Sequence, residues 1–233
     1  MQSNNNSYRK LNPSQHVFEL YLFVNPIGLK CLNSEHEVLH FIESLELNEG
    51  FKVHFRFLTF HNFNTVTQYM KRLNMPTNDL QLRNQIYETI YEASLAYKAA
   101  LMQGKKRGRK FLMLLQKELN INMAEYSSDL LIEVAKGANL DVEMFLEDKA
   151  SSFVKSSYDA DQKIAQEMNI SNNPSLVIFD NFNQQFGVLL EDVINCELIE
   201  KAFNHANSLD HQSQMPHQKK ARSVGKSYLQ IIK

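Results

Sequence analysis

Phe18-Glu19-Leu20-Tyr21-Leu22-Phe23-Val24 runs directly into Asn25-Pro26-Ile27-Gly28-Leu29-Lys30-Cys31, and the reading of this junction decides the fold. In the first half, Phe18, Leu20, Leu22 and Val24 alternate with Val17, Glu19, Tyr21 and Phe23. Both faces are largely apolar, as in a central buried strand. From Leu29 to Leu47 the period changes. Leu32, Val38, Leu39, Ile42 and Leu45 fall at helical spacing, and Gly50 is a stop signal. Phe51, Val53, Phe55 and Phe57 then alternate with Lys52, His54 and Arg56, which predicts a strand with one wet face. Strand, helix and strand in this order imply a crossover and a parallel pair. At the strand-to-helix junction a dithiol redox site would carry two cysteines spaced C-x-x-C. There the helix dipole and unpaired N–H groups stabilise the first thiolate, and the second cysteine resolves the mixed disulfide. Here the four positions are Gly28, Leu29, Lys30 and Cys31. Gly28 has no nucleophile, and Cys31 alone cannot cycle between dithiol and disulfide. Cys31 has two readings: a small buried hydrophobe on the first helical turn, or a reactive regulatory thiol. No catalytic residue is assigned, and the chain reads as a non-enzyme.

Outward from this junction the strand signal fades between about residues 78 and 166. Leu82, Ile86, Ile90, Tyr97 and Leu101 predict an amphipathic helix ending near Gly104. Phe111, Leu114, Leu115 and Leu119 mark a second. A third starts at the N-cap Ser127, and a fourth at Asp141 with Leu140 and Phe145 spaced as a hydrophobic staple. Another runs through Ile164 and Ala165 to Met168. Strands return at Leu176–Phe179 and 185–190. The Asn-rich link between them predicts a hairpin. A last helix spans about 192–206. The order β-α-β, helical insert, β-β-α is that of an α/β thioredoxin fold with an all-helical insertion. The expected division is a flexible N-terminus at 1–15, a thioredoxin-like part at 16–75 and 166–206, a helical insertion at 76–165, and a basic disordered tail at 207–233. In this fold a cis-proline faces the redox motif, and Asn173-Pro174-Ser175 occupies that place. Pro174 is read either as cis, exposing backbone for an extended partner segment, or as a trans proline entering an edge strand. Phe60, Phe63 and Tyr69 are candidate exposed anchors for a partner.

The bulk chemistry excludes several classes. With 233 residues the chain can bury a full core, and 43% apolar with 22% charged residues is ordinary for a globular protein. The formal net charge of −1 supports no global field for nucleic acid or membrane. No run approaches about eighteen consecutive apolar residues, and residues 1–7 lack the apolar core of a secretory signal. Two cysteines, expected not to pair, fit a reducing cytoplasm. His36 and His40 have metal-compatible i, i+4 spacing but no third ligand nearby, so no metal and no cofactor are assigned. Seven glycines leave little room for a phosphate loop, and none is present. The run Gly104-Lys105-Lys106-Arg107-Gly108-Arg109-Lys110 reads as a solvated turn or a contact for an acidic partner.

Four stretches carry a resemblance to a known family: Tyr21-Leu22-Phe23-Val24-Asn25-Pro26; Leu95-Ala96-Tyr97-Lys98-Ala99-Ala100-Leu101-Met102-Gln103-Gly104; Asn139-Leu140-Asp141-Val142-Glu143-Met144-Phe145; and Ile164 through Ile170 leading to Asn173-Pro174-Ser175-Leu176. Over most of residues 18–205 the chain resembles the DsbA-like group, and more closely the YjbH/SpxH-type adaptors of the ClpXP protease. The resemblance implies a cytoplasmic adaptor that binds the transcription regulator Spx and promotes its degradation by ClpXP in the response to disulfide stress. It implies no membrane and no nucleic-acid partner. Some relatives keep both cysteines and a His-rich, zinc-associated N-terminus. Gly28, and the lack of His and Cys in residues 1–15, depart from that pattern. A thiol-disulfide oxidoreductase, or a glutathione-dependent transferase or isomerase, is the alternative, and would have to recruit Cys31 or a backbone donor.

Overall fold

The computed structural model describes residues 16–46, 51–180, 186–212 and 228–231. Among these, five strands and eight helices follow in the order β1 (His16–Val24), α1 (Leu29–Glu46), β2 (Phe51–Thr59), α2 (Phe63–Arg72), α3 (Leu80–Met102), α4 (Lys105–Asn120), α5 (Ser128–Gly137), α6 (Val142–Ala150), α7 (Ser152–Glu167), β3 (Ser175–Asp180), β4 (Phe186–Glu191), α8 (Cys196–Gln212) and β5 (Tyr228–Ile231). The sheet order is β2-β1-β3-β4-β5. β1 and β2 are parallel, as the α1 crossover requires, with Leu20 beside Phe55. β3 runs antiparallel to both β1 and β4, and β4 is parallel to β5.

The double apolar alternation of β1 is explained by cover on both faces. Phe18, Leu20, Leu22 and Val24 pack with Leu176, Ile178, Val188 and Leu190 beneath α1 and α8. Phe23, Val177 and Leu189 face the other way, against Ala165 of α7 and Ile170. The five helices α3–α7 close a separate apolar cluster around Ile90, Ala96, Ala100, Phe111, Leu115 and Phe145. Ser127 and Asp141 cap their helices as their sequence positions predict, accepting from the N–H of Leu130 and Met144.

β2 is an edge strand, and its last third is sealed by side chains rather than by another strand. Tyr97 Oη donates to the Phe57 carbonyl at 3.2 Å. Asp161 accepts the Thr59 N–H at 3.2 Å, and Gln162 donates to the Thr59 carbonyl at 2.8 Å. These alternate residues point their backbone groups away from β1, so α3 and α7 satisfy groups that would otherwise invite a foreign strand. Asp161 is 1% exposed and pairs with Lys98, which is 4% exposed.

Three details depart from the sequence reading. α2 is absent from the sequence reading: its ten residues bury only two apolar side chains, Val66 and Met70, beside Thr65, and Phe63 at its start stands exposed. Phe60 is not an exposed anchor. It is 6% exposed, edge-on to Phe23. Within the stretch read as a basic tail, α8 continues to Gln212 and Tyr228–Ile231 pair with β4. Residues 1–15, Gly50, the hairpin link 181–185 and residues 213–227 lie outside the described residues.

Candidate functional site

The site is built where the C-terminal end of β1 meets α1 and the loop before β3. Asn25, buried just past the strand, holds the turn together. Its side-chain oxygen accepts the Ile27 N–H at 3.0 Å, and its carbonyl accepts the Gly28 N–H at 3.0 Å. That makes an Asx-type turn feeding α1. Gly28 is buried at the closest point. A Cβ there would lie 3.3 Å from Asn25 Cβ and 3.4 Å from Cys31 Sγ. Leu29 and Lys30 face outward, and Cys31 turns inward with no exposed surface.

The environment of Cys31 decides between its two readings. Its sulfur accepts the Asn25 N–H at 3.1 Å, and burial pushes the thiol up to about 12. That is the opposite of the low-pKa thiolate a redox site needs. Beneath it, one helical turn on, Glu35 is fully buried. Burial raises its carboxyl to about 8, opposed only by Gln116, whose amide donates to Glu35 Oε1 at 2.9 Å and to the Asn25 carbonyl at 3.1 Å. A neutral glutamic acid and an inert thiol thus sit under a motif without a nucleophile. Cys31 and Cys196 are both free. His40 Nδ1 lies 3.3 Å from Cys196 Sγ, while His36 faces a separate trough.

The Asn173–Pro174 peptide bond is cis, as in the first of the two readings of Pro174, but Asn173, Pro174 and Ser175 are buried rather than presenting free backbone. The loop is anchored from several sides. Asn173 donates its amide to the Phe60 carbonyl at 2.9 Å. The Pro174 carbonyl accepts the Asp192 N–H at 3.1 Å, and Ser175 Oγ donates to the Asn172 carbonyl at 2.8 Å. The structure therefore brings Gly28–Cys31 and Asn173–Ser175 to one end of the sheet.

Two residues that sequence reasoning did not single out connect them. Asp192 accepts from Lys30 Nζ at 2.8 Å and from Arg72 at 2.8 Å. The Lys30 hydrogen bond, with both positive charges, holds the Asp192 carboxyl below its ordinary range. Both terminal nitrogens of Arg72 also donate to the Asn173 carbonyl, at 3.3 Å each. Lys30, Asp192 and Arg72 come from α1, the β4–α8 turn and α2. Their separations of 162 and 120 residues leave no local sequence signal. At this site the Asn173 and Pro174 carbonyls are already hydrogen-bonded, and neither Gly28 nor Cys31 supplies an activated nucleophile.

A family profile described as thioredoxin matches residues 21–201. A Bacillus cereus protein named ClpXP adapter protein SpxH is 29% identical over 211 residues, covering 77% of this chain and 70% of that protein. The Bacillus subtilis protein of the same name is 27% identical, covering 73% and 61%, and that of Staphylococcus saprophyticus 27%, covering 82% and 66%. Among solved structures, a putative protein disulfide isomerase from Nitrosomonas europaea superposes with a TM-score of 0.59 at 11% identity, over 84% of this chain and 98% of that one. A probable DsbA oxidoreductase from Streptomyces coelicolor gives 0.54 at 12%, over 88% and 94%. These structural likenesses establish the fold. With the profile covering most of its length, the chain belongs to the thioredoxin family and has the DsbA-like form of its fold.

Proposed function

We propose that this protein is a non-catalytic adaptor that binds an Spx-type regulator and presents it to the ClpXP protease. The observation that carries this reading is the contrast within one site: the cis-proline loop is kept and firmly held, while Gly28 lacks a thiol and Cys31 is sealed under it. A scaffold that loses its chemistry and keeps its recognition loop is suited to binding. The adapter names of the similar proteins support the same role. Asn173, Pro174 and Ser175 form the partner groove in this reading, with Gly28–Cys31 as its floor. A partner segment would use main-chain hydrogen bonds and side-chain pockets there. Arg72 now occupies the Asn173 carbonyl, so the partner's backbone displaces it or adds to it.

The test is degradation of purified Spx by ClpXP with and without this protein, in reducing and in oxidising buffer. The adaptor reading expects acceleration in both, because no dithiol is present at positions 28 and 31 to switch. No acceleration and no Spx binding would sink it. Insulin reduction provides the complementary assay. Turnover that disappears in Cys31→Ala would favour the oxidoreductase reading instead.

A further inference from the structure

The basic run at 105–110 has no part in the groove beside Pro174. The fold makes it the first turns of α4, with Gly104 as a cap that provides no side-chain bond. Five cations in six residues at this end oppose the helix dipole, whose N-terminus is itself positive. The first turn carries no acid. Among the described residues, the ion pairs are made elsewhere, and none uses Lys105, Lys106, Arg107, Arg109 or Lys110. Such a cluster is a standing electrostatic cost unless something negative meets it.

Beside it, α1 and α4 open a trough of about 620 Å³. Its floor is aliphatic: Leu32, Leu39, Met113, Leu114 and Ile121. Its polar lining is Lys106, Arg109, Lys110, Lys117 and His36 against one acid, Glu43. The lining follows one stripe at 32, 36, 39 and 43 on α1 and one at 106, 110, 113 and 117 on α4 extended by Ile121 just past its end, with Arg109 and Leu114 beside the second. At about 1.5 Å per residue these stripes run roughly 16 and 22 Å, the length of a three- to four-turn helix. Both walls are helices, so they offer no free backbone for an extended strand. An entering helix needs only side-chain packing. The floor has no aromatic ring on which a nucleobase could stack. The chain's own segments outside the described residues have the wrong sign: they carry Arg9, Lys10, Lys219, Lys220, Arg222, Lys226 and Lys233 against Glu49 alone.

We infer that the α1–α4 trough docks an acidic amphipathic helix of a partner protein, with aliphatic anchors on the floor and carboxylates against the lysines. This surface is distinct from the groove at Pro174 and stands whether or not that groove binds Spx.

The test uses the isotope-labelled full chain and a designed helical peptide of about fourteen residues, with leucines one face wide and flanking glutamates. A counterpart with glutamine in place of every glutamate serves as control. Amide shifts are expected along Leu32–Glu43 and Lys106–Ile121. Affinity should fall at least about tenfold in Lys106→Glu/Lys110→Glu and with the glutamine peptide, and stay unchanged in Lys155→Glu. Equal binding of both peptides, shifts elsewhere, or no binding would overturn the proposal. Binding of phosphatidylglycerol vesicles without peptide binding would replace it with a membrane surface. Self-association that vanishes in the double variant, again without peptide binding, would replace it with a second copy of this chain.

Discussion

At the residue scale the site is defined by a missing side chain and by two groups buried beneath the gap. Gly28 lies close enough to Cys31 that a Cβ would need its neighbours to yield only a few tenths of an ångström. With a Cβ at 28 standing 3.4 Å from Cys31 Sγ, Gly28→Cys is expected to form the absent disulfide. After air oxidation and denaturation, a thiol assay should find a single free thiol, that of Cys196; three free thiols would show the motif geometry to be lost. Glu35 contributes a pH response of its own. Its folded carboxyl titrates at about 8, above an unfolded value of about 4.3. The folded chain holds a proton that the unfolded chain releases across that window. The contribution of Glu35 to stability is therefore full below about pH 4 and declines as the pH rises towards 8. Glu35→Gln keeps the neutral form and its bond from Gln116. Its unfolding free energy should match the parent's near pH 4.5 and exceed it by about 4–5 kcal/mol near pH 8. A constant difference at both pH values would show that burial of the carboxyl is not the cause.

At the element scale the helices α3 and α7 do more than fill space. They close the edge of β2 with Tyr97, Asp161 and Gln162, and the Lys98–Asp161 pair locks them together. Burial pushes Asp161 up and Lys98 down, each opposed by the other's charge, so neither tolerates the loss of its partner. Lys98→Met should cost about 3 kcal/mol in chemical denaturation, because the buried carboxylate keeps only the Thr59 N–H and Arg56, 3.8 Å from its other oxygen. Lys98→Met/Asp161→Leu should recover most of that loss, and an additive double variant would contradict the pairing. Gln103 joins α3 to α6 in the same way, its amide both donating to and accepting from the Asp141 backbone, at 2.8 and 2.7 Å. The next residue, Gly104, has φ +118, which a side chain would strain. The stretches 95–104 and 139–145, far apart in sequence, thus meet through residues whose types fit the contact. Asn62 and Thr65 form a capping box for α2, and that pair is the signal that could have revealed the helix carrying Arg72.

At the scale of the whole molecule, the sheet is finished from both ends of the chain, with β2 at one edge and β5 at the other. Truncation after Gln212 removes β5 and bares the paired edge of β4. The truncated chain should melt about 2–4 °C lower and self-associate by sedimentation velocity. An unchanged midpoint with no association would mean that β5 contributes nothing in solution. No helix among the described residues is long and apolar enough to cross a membrane. What the sequence determined by itself was whatever is encoded locally: the double-faced alternation of β1, the helical period of α1, the caps at Ser127 and Asp141, and the absence of a thiol at position 28. From these the element order, and hence the fold, could be read. Only the tertiary structure decided that Cys31 is buried and inert, that Pro174 is cis, and that Lys30, Arg72 and Asp192 join around the loop. Exposure, titration and ion pairing depend on what lies across space, and residues more than a hundred positions apart leave no periodic trace of having met.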